Sequence, residues 1–457
     1  MKNSKKFLIT LCLFITIILA ALFIGDVSDN IAALGRILSM EGILLSDAIG
    51  INRGFGGVVN GVFLNTFITA GWALIIVKLT KVSFEGPVFA GVLTIAGFTF
   101  VGKNLWNVLP IFFGVYLYAK YRKWEAKEVI TPMLFSTAIA PLISYMLFGT
   151  GMQHLDLVIR VALAIGVGIL VGFLAPMVAT QALKFHAGFN LYNLGFTMGL
   201  IAIIAHGVLR TLGIHVQFVG VPIVGFPDHT MFFMSGFAAI SIGGIIMAFI
   251  MDKDVLKKYK KITDQTGQAP SNFSESAGQA TVLLNMGFLG LMALTLIIPM
   301  LFWLDIPFLG VFGASTLTIM GFSAFGKHPL NTIPILIGTG IALVAIHLID
   351  SPYLLINPTV NPDGAYLSAL NIHVYVSAVF FATCLAPISR EYGWKAGVIT
   401  GLVHMTMVMT ARSFQGGFNL YNNGWVAGFV GGIMVPIYDV FFRKYKEVRQ
   451  AKMERIS

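Results

Sequence analysis

One polar pattern, Gly-Lys-x-x-x-Asn-x-x-Pro, occurs twice in a chain that is otherwise strongly apolar. Its members are Gly102, Lys103, Asn107 and Pro110 in the first copy and Gly326, Lys327, Asn331 and Pro334 in the second. A lysine amine is a positive charge with three donors, and an asparagine amide both donates and accepts hydrogen bonds. The pattern therefore predicts a binding site for an anionic or carbonyl-bearing solute. The alternative interpretation is a lysine at an ordinary turn whose amine reaches a lipid headgroup.

A second polar motif, Phe-Asn-Leu-Tyr-Asn, is also duplicated. Its polar members are Asn190, Tyr192 and Asn193 in the first copy and Asn419, Tyr421 and Asn422 in the second. Such side chains are costly in lipid unless they are hydrogen-bonded. Because a glycine lies before each motif, we predict a helix break and then a new helix capped by an asparagine. The positive end of that helix would attract an anion. The alternative is helix–helix packing held by asparagine hydrogen bonds.

His186 lies shortly before the first of these motifs, and Gln415 occupies its place before the second. We interpret His186 as a structural hydrogen-bonding group, with a proton relay as the alternative. The usual hydrolase, zinc-peptidase and nucleotide-binding motifs do not occur, so we predict no catalytic residue, metal site or cofactor. Almost all carboxylates fall in loops or at the ends of apolar segments. This weakens a proton-coupled mechanism and leaves sodium coupling through backbone carbonyls open.

The elements that must position these residues follow from the composition. Of 457 residues, 57% are hydrophobic and 11% are charged, and the mean hydropathy is +0.84. A soluble domain carries about 25% charged residues, and a disordered chain needs low hydrophobicity. Two cysteines exclude a disulfide scaffold. The chain is therefore predicted to be an all-α integral membrane protein.

About 14 apolar segments can be distinguished along the chain by the sliding-window criterion. Two of them, Gly86–Gly102 and Leu105–Ala119, flank the first lysine pattern and are short for full spans. Short segments interrupted by glycine and proline are typical of re-entrant half-helices, which are the alternative to spans here. Phe7–Gly25 is longer than a signal-peptide core and is predicted to be a retained span.

The distribution of basic residues predicts the orientation of the chain. Eighteen of the 30 lysine and arginine residues lie within residues 1–6, 120–128, 252–261 and 443–455. Basic segments stay on the cytoplasmic side, so both termini are predicted to be cytoplasmic. Ile349–Leu367 is polar but contains no lysine or arginine, which places it outside. The net charge of +10 thus needs no nucleic-acid partner.

The two lysine patterns belong to a longer internal repeat. Leu93–Gly114 and Leu317–Gly338 are identical at 11 of 22 positions, and Phe185–Gly195 and Phe414–Gly424 at eight of 11. The chain is therefore read as two membrane repeats, 1–224 and 225–457, with a polar cytoplasmic linker at 251–278. Units of about seven segments contain an odd number of passes, so the second repeat is predicted to be inverted.

Small residues recur at helical spacing, as in Gly166, Gly168 and Gly172. This spacing indicates close helix–helix packing rather than contact with a ligand.

The paired Phe-Asn-Leu-Tyr-Asn motifs and the repeated Gly-Lys pattern resemble an uncharacterised family of bacterial multi-pass membrane proteins. The resemblance extends over nearly the whole chain. It implies a location in the bacterial plasma membrane and supplies no substrate.

We predict a membrane transporter or channel for a small polar or anionic solute, with its site between two inverted repeats. The residues expected to bind the solute are Lys103, Asn107, His186, Asn190, Tyr192, Asn193, Lys327, Asn331, Asn419, Tyr421 and Asn422. Its other partners are membrane lipids, and a homo-oligomer is left open. Two alternatives are a membrane-embedded enzyme acting on a lipid-linked substrate, with His186 and a lysine as acid–base groups, and a scaffold. Short loops offer a scaffold little docking surface.

Overall fold

The computed structural model describes residues 27–40, 55–216, 230–302, 306, 308–349, 372–443 and 445–448. Within these residues the chain is helical and contains no strand. The predicted first span, Phe7–Gly25, and almost all of the predicted outside segment Ile349–Leu367 lie outside the described residues.

The first part of the chain forms eight of the described helices. They are α1 (Val27–Leu38), α2 (Phe55–Thr80), α3 (Gly86–Phe98), α4 (Leu105–Arg122), α5 (Ala126–Ser136), α6 (Ala140–Phe148), α7 (Leu157–Phe185) and α8 (Asn193–Thr211). A 3-10 turn, Thr99–Val101, ends α3, and another, Thr137–Ile139, joins α5 to α6. Pro141 in the first turn of α6 has no N–H to donate to the preceding helix, which explains the break at this point.

The second part contains ten of the described helices, and its last seven repeat the order of the last seven of the first part. Its described helices are α9 (Thr230–Met251), α10 (Val255–Thr263), α11 (Phe273–Ala277), α12 (Gln279–Phe302), α13 (Gly310–Gly321), α14 (Pro329–Ile349), α15 (Ile372–Phe381), α16 (Ala386–Tyr392), α17 (Trp394–Phe414) and α18 (Asn422–Phe441). A 3-10 turn, Ala382–Leu385, joins α15 to α16, and Pro387 begins α16 as Pro141 begins α6.

Eight helical stretches in the described part of the chain are long and apolar enough to cross a membrane. Two shorter apolar stretches, Gly86–Val101 and Gly310–Ala324, accompany them. The predicted total of about 14 segments stays a prediction. The long stretches differ in how far they are buried inside the protein. In Ala126–Phe148, 89% of an apolar 18-residue window is buried, whereas in Leu157–Phe185 only 22% is. The exposed residues of α7 are mostly large and apolar, which suits contact with lipid rather than water.

The two short helices α3 and α13 pack against each other at the centre of the protein. Gly97 lies against Ala314, and Gly321 lies against Ala90, so the two helices run antiparallel. α4 packs instead on α7, and α14 packs on α17. Each Gly-Lys pattern therefore joins a central helix to one that belongs to an outer pair.

The predicted small-residue packing is present on α7, although not at every glycine. A Cβ on Gly172 would overlap the carbonyl oxygen of Ile111, and a Cβ on Gly168 would lie 2.5 Å from Pro110 Cβ. Gly166 has no neighbouring atom within 4 Å of such a Cβ, so it does not take part in this contact.

Candidate functional site

Both Gly-Lys patterns form a sharp break between two helices. Gly102 has φ +100° and Gly326 has φ +87°, a backbone region that favours glycine. The side chain of Asn104 accepts from the backbone N–H of Asn107, and Asn107 Oδ1 accepts from the N–H of Asn104, which fixes the start of α4. The break turns the lysine side chain into the protein interior.

The amine of Lys103 is fully buried and donates to two hydroxyl oxygens. Thr137 Oγ1, in the break between α5 and α6, lies 2.7 Å from Nζ, and the phenol oxygen of Tyr421 lies 2.6 Å from it. Nζ also lies 4.5 Å from the centre of the Tyr421 ring. Lys103 and Thr137 belong to the first part of the chain, whereas Tyr421 belongs to the second.

Lys327 has the same surroundings with the two parts of the chain exchanged. Its buried amine donates to Thr383 Oγ1 at 2.8 Å, in the break between α15 and α16, and to Tyr192 OH at 2.6 Å. The centre of the Tyr192 ring lies 4.5 Å away. Each lysine is therefore held by the tyrosine of the opposite Phe-Asn-Leu-Tyr-Asn motif. No carboxylate of the described residues forms an ion pair with either lysine.

Asparagines fix the backbone around both lysines. Asn65 on α2 donates to the carbonyl oxygen of Lys103 at 2.9 Å, and Asn285 on α12 donates to that of Lys327 at 2.8 Å. The predicted residues Asn107 and Asn331 donate to the carbonyl oxygens of Gly102 and Gly326, and therefore support the turn. Buried amides that satisfy backbone carbonyls in this way hold the lysines in position.

The first asparagine of each Phe-Asn-Leu-Tyr-Asn motif connects the two parts of the chain. Asn190 Nδ2 donates to the carbonyl oxygen of Gly424 at 2.8 Å, and Asn419 Nδ2 donates to that of Gly195 at 3.0 Å. Their Oδ1 atoms accept from the backbone N–H of the tyrosine two residues later. The predicted helix break is present, but the prediction that this asparagine caps the helix is wrong. The following helices begin only after Tyr192 and Tyr421, because the asparagines are engaged across the interface.

The last asparagine of each motif binds the residue at the His186 or Gln415 position. His186 Nε2 lies 2.9 Å from Asn193 Oδ1, and Gln415 Nε2 donates to Asn422 Oδ1 at 2.7 Å. A histidine in one part and a glutamine in the other thus make the same contact. This agrees with a structural role for His186.

Replacement of His186 by glutamine is expected to leave the stability of the protein within about 0.5 kcal/mol of the wild type, because glutamine makes this contact at the equivalent position. Alanine leaves Asn193 Oδ1 without its partner and is expected to cost about 1–2 kcal/mol. Thermal melting of the purified protein in detergent distinguishes the two variants. Equal destabilisation by glutamine and alanine would contradict the structural interpretation.

A cavity of about 240 Å³ lies beside the crossed lysine–tyrosine pairs. Of the predicted site residues, Tyr192, Asn193 and Tyr421 line it. The other eight do not; the two lysines lie behind the tyrosines, and the remaining asparagines and His186 support the breaks. Further lining residues occupy equivalent places in the two repeats and were missed from sequence: Thr94 and Thr318, and Phe98 and Phe322. Both pairs are identical residues at matching positions of the repeated segment, and this could have marked them as candidates from the sequence.

The linker between α10 and α11 closes one side of the cavity. Ala269, Pro270 and Ser271 line the cavity wall. The backbone N–H of Ala269 donates to the carbonyl oxygen of Gly188 at 3.0 Å, and Asn331 Nδ2 donates to that of Thr266 at 3.0 Å. This segment therefore binds both the turn before the first Phe-Asn-Leu-Tyr-Asn motif and the second Gly-Lys break.

An apolar bundle of membrane-length helices, with its polar side chains gathered at central helix breaks, defines a polytopic membrane protein. The chain belongs to the family described as "Protein of unknown function (DUF1576)", whose model matches residues 27–211, 251–357 and 364–440. No curated protein and no solved structure matches the chain.

Proposed function

We propose that this protein is a membrane transporter for a small polar or anionic solute, built from two inverted repeats that enclose the site between them. The observation that carries the proposal is the exchange of partners at the centre, where Lys103 binds Tyr421 and Lys327 binds Tyr192. Buried amines without a neighbouring carboxylate are costly in a structural core. Their presence beside a cavity favours a role in attracting an anion.

The packing of the central helices supports an inverted relation between the repeats. α3 and α13 occupy equivalent places in the two repeats and run antiparallel against each other. Transporters with inverted repeats bind their solute near the midplane, at discontinuous helices. In this protein the break between α5 and α6 contacts the one between α17 and α18, where the N–H of Leu420 donates to the carbonyl oxygen of Ala138 at 2.8 Å. The break between α7 and α8 likewise contacts the one between α15 and α16, where the N–H of Leu191 donates to that of Cys384 at 2.9 Å.

A carrier mechanism requires the two repeats to move relative to each other around the cavity. Movement at the contact between α8 and α18, where Gly195 and Gly424 lie against each other, would have to release the hydrogen bonds of Asn190 and Asn419 across it. Linker residues 266–271 would have to leave the cavity before a solute could pass on that side. A fixed pore is the alternative, and a flux that does not saturate with solute concentration would favour it.

Equivalent loops of the two repeats are expected to lie on opposite sides of the membrane. The loop before α7 contains exposed His154, and the loop before α17 is followed by exposed Lys395. The variants are made in a Cys12→Ser background, in which the remaining cysteine, Cys384, is buried. There, His154→Cys is expected to react with an impermeant maleimide from outside the cell. Lys395→Cys should react only in inverted vesicles. Lys127→Cys is the cytoplasmic reference, and labelling of positions 154 and 395 from the same side would contradict the inversion.

Transport itself is tested with purified protein in proteoliposomes and a panel of labelled solutes that contains benzoate, phosphate, citrate and glycerol. We expect flux of at least one solute above that of protein-free liposomes. Lys103→Ala and Lys327→Ala should each reduce it at least fivefold, because the positive charges attract the anion. Lys395→Ala removes an exposed lysine and is the matched control. Full flux in both single variants and in the double variant would exclude the lysines from the transport site.

A further inference from the structure

The cavity wall is far more apolar than a site for a hydrophilic anion requires. Five phenylalanine side chains contribute to it, and no charged side chain among the described residues does. Two of its polar residues, Asn193 and Asn423, are already engaged, since their Oδ1 atoms lie within 3.0 Å of histidine nitrogens. Most of a bound solute would therefore contact carbon atoms.

One hydroxyl of the cavity wall is left for a solute. The phenol oxygens of Tyr192 and Tyr421 are already engaged, because each accepts from a lysine and is also hydrogen-bonded to the threonine that the same lysine binds, Thr383 or Thr137. Thr318 lines the cavity and is 1% exposed, and its Oγ1 has no partner among the described residues. A buried hydroxyl without a partner at a cavity wall is a position at which a ligand would complete the hydrogen bonding.

We propose that the cavity binds a small monocarboxylate with an apolar body, such as an aromatic or branched aliphatic acid. This inference rests on the proposed function and specifies its solute. The phenylalanines contact the body, the hydroxyl of Thr318 donates to the carboxylate, and the two lysine–tyrosine pairs beside the cavity supply positive charge. The volume of about 240 Å³ is below the roughly 300–1,000 Å³ typical of pockets for drug-sized ligands. The solute is therefore of metabolite size.

Two other solute classes fit this wall poorly. Phosphate or citrate would lose hydration around several charged oxygens, and no charged side chain of the wall replaces it. A neutral aromatic molecule would satisfy the phenylalanines but gain nothing from the two lysines. The amide of benzoate is therefore an informative comparison, because it keeps the ring and removes the charge.

The test is a thermal-shift titration of the purified full-length chain with benzoate, benzamide, phosphate and citrate. A ligand that binds the folded state raises the melting temperature by mass action. We expect benzoate to raise the melting temperature and benzamide to bind at least about tenfold more weakly. Phosphate and citrate should give no shift at concentrations below about 10 mM. The ionic strength is kept equal in all samples, because salt screens charge interactions.

Threonine variants locate the bound benzoate. Thr318→Val removes the hydroxyl at nearly constant shape and is expected to weaken benzoate binding about tenfold. Thr316→Val is the matched control, because Thr316 lies on the same helix, is also buried with an unpartnered hydroxyl, and does not line the cavity. Leu183→Trp, which fills the cavity from α7, provides a second variant that leaves α13 unchanged.

Each contrary result overturns a different statement. Benzoate binding that is unchanged in Thr318→Val and Leu183→Trp would place the ligand outside this cavity and overturn the assignment. Stabilisation by phosphate or citrate, or by none of the four probes, would overturn the monocarboxylate class. The transporter proposal itself fails if no solute of the panel shows a flux above that of protein-free liposomes.

Discussion

Double-mutant cycles are expected to show that Lys103 is energetically coupled to Tyr421, and Lys327 to Tyr192. Lys103→Met leaves two buried hydroxyls without their donor, and Tyr421→Phe removes one of the two acceptors of a buried amine. Leaving a buried group unsatisfied costs about 1–3 kcal/mol, and more where the group is charged. The double variant removes both partners and should be more stable than the sum of the single changes predicts, by about 0.5–3 kcal/mol.

The free energy of unfolding is measured by denaturant titration of the purified protein in detergent. Tyr438 gives a matched control because it is a buried tyrosine on α18, the helix that begins directly after Tyr421, and its hydroxyl contacts Thr400. It lies about 24 Å along α18 from the start of the helix. A Lys103→Met and Tyr438→Phe cycle should therefore be additive. Equal coupling in this cycle and the Tyr421 cycle would refute a specific lysine–tyrosine contact between the repeats.

Replacement of Gly172 by alanine is expected to prevent α7 from reaching its packing distance to α4. The added Cβ would overlap the carbonyl oxygen of Ile111, and a backbone atom within a helix cannot rotate away. Overpacking of this kind costs about 1–3 kcal/mol and sometimes more. Because the lysine break begins α4, we expect loss of folded protein rather than a local adjustment.

Two further variants make this expectation decisive. Gly401→Ala places a Cβ against the carbonyl oxygen of Ile335, at the equivalent contact of α17 with α14, and should be as harmful. Gly166→Ala changes the open side of α7 and should be neutral or stabilising, because alanine favours a helix by about 1 kcal/mol over glycine. The measurement is the yield of monodisperse protein and its melting temperature. A well-folded Gly172→Ala protein would contradict the close packing described here.

The sequence was sufficient to predict an all-helical membrane protein and the helix breaks at both polar motifs. Apolar length and glycine position are local properties, so they can be read without knowing the packing. The positions of Lys103 and Lys327 at these breaks were predicted for the same reason. Their complete burial was not, because a lysine at a turn and a lysine in a core have the same local sequence.

The partners of the lysines could not be predicted, since they come from distant parts of the chain. Tyr421 is 318 residues from Lys103, and only the packing of the two repeats brings them together. Thr137 and Thr383 were overlooked although each lies shortly before a repeated Ala-Pro pair. Thr94 and Thr318 were overlooked because a threonine in an apolar helix usually bonds to its own backbone, as Thr94 does to Ala90.

The exchange of tyrosines between repeats has a consequence for how the protein is made. Lys103 is synthesised 318 residues before Tyr421, which at about 5–20 residues per second is a delay of roughly 15–60 s. During that interval the Lys103 amine lacks one of its two hydrogen-bond acceptors. Water or a lipid headgroup can take that place until Tyr421 is added. The lysine site is thus completed only when Tyr421 has been synthesised and packed against the first part of the chain.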